Sequence, residues 1–159
     1  MITTGNKKLF LIDAYALIYR AYFAFSKNPR LTSKGFDTSA IYGFTNMIVE
    51  VINKEKPSHL GVVFDTPKKT HRHIEYVAYK ANRDAMPEGI STAIPYIKQI
   101  LDALNIPVLF LDGFEADDVI GTLSRQAEGL SFTTYMMTPD KDFAQLVTGS
   151  TFMYRPGIR

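Results

Sequence analysis

Lys8-Leu9-Phe10-Leu11-Ile12-Asp13 reads as a short strand, apolar without alternation and closed by a carboxylate. A half-exposed strand would alternate polar with apolar side chains, so a continuous apolar run requires cover on both faces of its sheet. The pattern returns at His59 to Asp65 (HLGVVFD), Val108 to Asp112 (VLFLD) and Phe132 to Thr138 (FTTYMMT). Between these runs, apolar residues recur at i, i+3, i+4 spacing over Ala14 to Phe25, Ser39 to Glu55, roughly Ile90 to Leu104, and Ala116 to Glu128, which predicts helices. Lys56-Pro57-Ser58 and Asn105-Ile106-Pro107 break two of the helices just before the strands that follow. This alternation predicts an α/β fold: a mostly parallel sheet flanked by helices on both faces. The stretch from Thr66 to Gly89 interrupts it with a polar, basic segment.

The 159 residues, 46% hydrophobic and 21% charged, suit one globular domain or most of one. There is no cysteine, which excludes disulfides and thiolate zinc sites and leaves oxygen or histidine as metal ligands. Met1 to Lys8 has no apolar core of signal-peptide length, and no apolar run approaches the roughly 20 residues of a membrane helix. A soluble, cytoplasmic, bacterial protein without membrane contact is therefore expected. No Walker loop or Gly-x-Gly-x-x-Gly fingerprint supports nucleotide binding.

Ligands in open α/β sheets bind beyond the carboxyl ends of the strands, and three of the four runs end in aspartate: Asp13, Asp65 and Asp112. The fourth leads into Thr138-Pro139-Asp140-Lys141-Asp142, and the loop after the third adds Glu115, Asp117 and Asp118. Taken singly, an aspartate at a strand end is most often a helix cap or loop residue, Glu115 to Asp118 would favour a helix dipole, and Asp140 and Asp142 suit a turn. Their coincidence on one edge of the sheet is what points to a hard divalent cation, because crowded carboxylates repel one another unless neutralised. Oxygen ligands of this kind suit Mg²⁺ or Mn²⁺, and two such ions support in-line phosphodiester hydrolysis. Asp112 is assigned to the loop or to a supporting role. With the other seven acids set aside, 18 basic residues face 9 acidic ones, a balance that suits a polyanionic partner around an acidic centre.

Several runs resemble the 5′-nuclease domain of bacterial DNA polymerase I, a family with PIN-like folds related to phage 5′-exonucleases and flap endonucleases. They are Leu11-Ile12-Asp13 with Ile18-Tyr19-Arg20-Ala21-Tyr22, Tyr42-Gly43-Phe44 with Asn46, Phe64-Asp65, Tyr79-Lys80-Ala81-Asn82-Arg83, Met86-Pro87, Glu115-Ala116-Asp117-Asp118-Val119-Ile120-Gly121-Thr122, and Asp140-Lys141-Asp142 with Gln145-Leu146-Val147. The resemblance implies a 5′-3′ exonuclease or flap endonuclease that acts in DNA replication and repair by two-metal catalysis with Mg²⁺ or Mn²⁺. It places Asp13, Asp65, Glu115, Asp117, Asp118, Asp140 and Asp142 at metal-binding positions. It places Arg20, Lys80 and Arg83 at catalytic positions that engage the substrate phosphate.

The resemblance also makes residues 66–89 a helical arch for a single 5′ strand. Thr66 to Arg83 holds five Lys or Arg residues against one acid. If 72–83 is helical, Arg72, Tyr76, Tyr79 and Arg83 share one face and join Arg20 and Lys80 in DNA binding. The bland alternative is a solvated amphipathic helix with tyrosines packed on the body. His71 and His73 have no ligand-like spacing to the acids. Implied partners are DNA with a 5′ end or flap and an RNA primer on DNA, engaged by a monomer. Ala14 stands where many relatives have glycine, and His71 where phenylalanine is common.

Relatives continue into a further acidic motif, a helix-hairpin-helix element and, in the parent enzyme, a polymerase. Residues 1–159 are therefore expected to be the N-terminal part of one nuclease domain, with weak metal binding and little or no cleavage. Two other classes make different demands. An aspartate-nucleophile phosphatase would place Asp-x-Asp after the first strand, where Asp13-Ala14-Tyr15 stands. A non-catalytic DNA-binding fragment would keep the basic segment without the chemistry.

Overall fold

β1 (Lys8–Asp13) lies at the centre of a five-stranded sheet completed by β2 (His59–Val63), β3 (Val108–Leu109), β4 (Thr133–Met137) and β5 (Thr151–Tyr154). The computed structural model describes residues 7–76, 78, 80 and 84–156. The strand order is β3-β2-β1-β4-β5, and every pairing is parallel. The chain builds outward from β1 through β2 to β3, then returns to the other side of β1 with β4. The order of the sheet thus reverses between β1 and β4, where a crevice opens at the carboxyl ends.

Five helices connect the strands: α1 (Ala14–Ala24), α2 (Ser39–Glu55), α3 (His71–Glu75), α4 (Glu88–Ala103) and α5 (Ala116–Gly129). Alternation along β1 decides which helices cover which face. Phe10 and Ile12, with Val62, Phe64 and Met137, pack in one fully buried cluster with residues of α1, α2 and α4. Leu11, Val63 and Met136 point the other way, onto Ala116 and Ile120 of α5 and onto Phe143. Each such side chain contributes about 1.5–3 kcal/mol by leaving water, so both faces favour one register of the sheet. α1 and α2 approach closely at Gly43, where a Cβ would stand 2.9 Å from the Ala21 Cβ. α4 tolerates Pro95 because that residue lies on its exposed side.

The parallel sheet covered on both faces is the architecture expected from the sequence, and the four helices fall within two residues of their expected bounds. Three details differ. The third strand stops at Leu109 instead of Asp112, because β3 is an edge strand whose single partner runs out: the Phe64 amide donates to the Leu109 carbonyl, and no strand continues beyond. Phe110 and Leu111 are consequently exposed, and Asp112 lies in a loop. A fifth strand, Thr151–Tyr154, pairs with β4, and a short 3-10 helix, Lys141–Leu146, precedes it. The supposed helix over 72–83 ends at Glu75, and Tyr76 is extended at φ −127° and ψ 94°. Arg72 and Tyr76 therefore do not continue on one helical face, while Tyr79 and Arg83 lie outside the described residues.

Candidate active site

β1 delivers Asp13 to the crevice as its last residue, and the same residue caps α1. β2 delivers Asp65 two residues past its end, and β4 leads through Thr138 to Asp140 and Asp142 at the start of the 3-10 helix. α5 brings Glu115 as its N-cap, with Asp117 in its first turn. Asp13, Asp65, Glu115, Asp117, Asp140 and Asp142 together line a single cleft of about 210 Å³, which Lys80 enters from the basic segment 66–89. The six positions come from four separate stretches of chain.

Short-range bonds hold these carboxylates in place. Thr138, fully buried, donates its hydroxyl to Asp13 Oδ2 at 3.0 Å and accepts the Asp140 amide at 3.1 Å. Asp65 Oδ1 accepts the Ala116 amide at 2.6 Å, so it also serves the N-terminus of α5. Asp140 Oδ1 accepts the Asp142 amide at 2.9 Å. Thr138 received no role from the sequence. Its only signal there was its place between the fourth apolar run and Asp140.

The electrostatics show a surplus of negative charge. Burial pushes the Asp13 carboxyl up to about 6, and Asp65 and Asp140 add to the effect against the opposing Thr138 hydrogen bond. Asp117 is raised as well, first by burial and then by neighbouring Asp118. Countercharge comes from the basic segment. Lys80 Nζ stands 2.6 Å from Glu115 Oε1, with its own backbone in the left-handed region at φ 57°. Among the described residues no three acidic or histidine side chains close around a single point tightly enough to hold an ion as they stand.

Three expected site residues lie elsewhere. Asp118 turns out of the cleft to line a neighbouring hollow with Arg72 and Arg125, and both its oxygens accept from Arg72, at 2.9 and 2.7 Å. Arg72, expected to face DNA, is thus directed at the protein's own acids. Arg20 donates to the Pro156 carbonyl at 3.1 Å and does not line the cleft. Tyr76, expected on the DNA-facing stripe, is 67% exposed. Asp112, held 2.5 Å from Lys68 and bonded to Thr66, stays outside the cleft, in keeping with the loop role assigned to it.

Beside the acid cleft and sharing Asp65 with it is a larger hollow of about 640 Å³, walled by Tyr15, Tyr19, Pro67 and Met86. The Tyr15 phenol is raised by burial, Asp65 and Tyr19, which keeps it a hydrogen-bond donor.

Residues 8–159 match the family model for the 5′-3′ exonuclease N-terminal resolvase-like domain. The chain belongs to this family. Within the 5′-3′ exonuclease family it is 43% identical over 150 residues to a 5′-3′ exonuclease of Aquifex aeolicus, covering 94% of this chain and 51% of that protein. It is 42% identical over 149 residues to DNA polymerase I of Bacillus subtilis, covering 93% of this chain and 17% of the polymerase. The chain thus spans about half the length of the exonuclease and a minor part of the polymerase. A crystal structure of a bacteriophage T5 protein co-crystallized with metal ions shares the fold, with a TM-score of 0.70, 20% identity, and coverage of 93% of this chain and 55% of that one. A T5 flap endonuclease in a pseudo-enzyme–product complex with DNA and metal ions superposes with a TM-score of 0.68 at 20% identity, covering 93% of this chain and 54% of that one. No helix among the described residues is long and apolar enough to cross a membrane.

Proposed function

We propose that this chain is the N-terminal part of a divalent-metal-dependent 5′-3′ exonuclease or flap endonuclease, hydrolysing phosphodiesters at DNA 5′ ends with Mg²⁺ or Mn²⁺. The observation that carries this reading is the cleft at the switch point of the sheet, where six carboxylates face one lysine. The donor set fits a hard cation: it is all oxygen, it comes from several strand ends, and six carboxylates line one cleft with a single lysine. Asp13, Asp65, Glu115, Asp117, Asp140 and Asp142 would hold the metal. A cation bound there supplies Lewis-acid stabilisation of phosphate charge and lowers the pKa of a bound water.

The remaining roles belong to the chain itself. Thr138 orients Asp13, and Asp65 ties β2 to the start of α5. Lys80, paired with Glu115 at rest, is placed to transfer its charge to a phosphate that enters the cleft. Tyr15 and Tyr19 offer aromatic surface to a terminal base beside the acids. Arg83 keeps the phosphate role that the family resemblance implies. A 5′ flap is the favoured DNA partner, with an RNA primer on DNA as a second substrate of the same chemistry, and the chain acts as a monomer.

Titration with Mn²⁺, followed by its magnetic resonance signal with and without chelator, tests the metal. A labelled 5′-flap duplex tests the reaction. Weak, chelator-reversible binding with cleavage well below that of a full-length relative is expected. Failure to bind Mn²⁺ at millimolar concentration would overturn the reading, and cleavage at the full-length rate would show that residues 1–159 suffice.

A further inference from the structure

The contacts of α3 with α5 assign Arg72 a task other than touching DNA. Its guanidinium makes a two-pronged pair with Asp118, Nη1 to Oδ2 at 2.9 Å and Nη2 to Oδ1 at 2.7 Å, and Nη1 also stands 3.2 Å from Glu115 Oε2. A fork of this kind fixes both partners in angle as well as distance. Asp118 is tied on its other side too, since Oδ2 accepts the Glu115 amide at 3.1 Å in a reciprocal cap of α5. Glu115, only 5% exposed, is then shared between two cations of the arch segment: Oε2 faces Arg72 and Oε1 faces Lys80.

The rest of α3 leans on the same loop. The His71 amide donates to the Gly113 carbonyl at 3.2 Å, and its ring lies 5.5 Å from that of Phe114. Thr70 and His73 close a reciprocal cap at the start of α3. A five-residue helix with no buried side chain cannot hold this place through its own packing. The ion pair is the strongest link it has.

We propose that Arg72 and Asp118 form a clasp that docks the base of the arch segment onto the N-terminus of α5, making Arg72 a positioning residue that sets Lys80 against Glu115. Asp118 serves the clasp and not the cation. This rests on the proposed reading of the cleft as a divalent-metal site, but the docking itself is measurable without metal. These two cations divide the work. Lys80, inside the cleft, exchanges its partner when a phosphate or cation arrives. Arg72, with Asp118 outside the cleft, stays closed.

Hydrogen exchange on the metal-free 159-residue chain reads the clasp directly. Arg72→Gln and Asp118→Asn should each speed exchange of the His71, Ile74 and Tyr76 amides by tenfold or more and leave the second half of α5 unchanged. Unchanged exchange in both single variants would overturn the proposal. A Mn²⁺ titration supplies the second readout. The two single variants should weaken binding by the same factor, on the order of tenfold by indirect loosening of Glu115. A far larger loss in Asp118→Asn than in Arg72→Gln would make Asp118 a ligand and end the clasp. If the unaltered chain binds no Mn²⁺, the metal reading falls, while the exchange result still decides the clasp.

Discussion

The Thr138 hydroxyl donates to Asp13 across 3.0 Å, joining the carboxyl ends of the two strands between which the order of the sheet reverses. Because Thr138 is fully buried and also accepts the Asp140 amide, one hydroxyl sets the spacing of two acids that lie 127 positions apart in the chain.

Thr138→Val keeps the shape and removes both bonds. It should cost about 1–2 kcal/mol of stability and leave Asp13 without its opposing hydrogen bond, raising that carboxyl further. Thr138→Ser should restore most of the loss. Urea denaturation, with NMR titration of the Asp13 carboxyl carbon, distinguishes the three proteins.

Metal-free stability should depend on pH through Asp13. Below its ordinary value of 3.8 the carboxyl is protonated in the folded and unfolded chain alike, and burial carries no charge penalty. Since the folded-state value is raised to about 6, the stability linked to the bound proton is lost as pH rises through that value, on the order of 3 kcal/mol at most. Asp117 is raised too and acts in the same sense. Asp118 and Asp112 act oppositely. In Asp118, burial is outweighed by the Arg72 and Glu115 hydrogen bonds, and Asp112 is lowered by Lys68 and Thr66, so their contributions are lost as pH falls through their lowered values. Thermal melts from pH 4 to 8 should therefore decline between about pH 4 and 6 and level off above, and millimolar Mn²⁺ should flatten that decline.

Asp13→Asn removes a charge that burial disfavours. At pH 8 and without metal, the variant should melt several degrees higher, about 5 °C, while binding Mn²⁺ at least tenfold more weakly. A variant that neither gains stability nor loses metal would show that Asp13 is a structural cap only.

Tyr19→Ala opens the aromatic hollow next to Asp65. Affinity for a short 5′ single-stranded tail should fall roughly fivefold or more, as loss of one base–aromatic stack implies, with Mn²⁺ affinity unchanged. Fluorescence anisotropy of a labelled oligonucleotide reads the first quantity and metal titration the second.

Gly43→Ala places a methyl group 2.9 Å from the Ala21 Cβ and 3.2 Å from the Phe25 ring, where α1 and α2 meet. Forcing the helices apart should cost about 1–3 kcal/mol, visible as a lower denaturation midpoint without a change in slope.

The sequence by itself determined the layered α/β fold, because unbroken apolar runs such as Lys8 to Asp13 are stable only with helices on both faces, and the runs alternate with helical periodicity. It also determined that Asp13, Asp65, Glu115, Asp117, Asp140 and Asp142 gather at one end, since parallel strands point their carboxyl termini the same way. What it could not determine was set by contacts between distant segments. β3 ends at Leu109 because its neighbour ends, and Thr151–Tyr154 is a strand because β4 offers it an open edge. Only the tertiary structure separated Asp118 from Asp117. Adjacent residues at the start of a helix point about 100° apart, and which of the two faces the cleft depends on where Arg72 arrives from a segment more than 40 positions earlier in the chain.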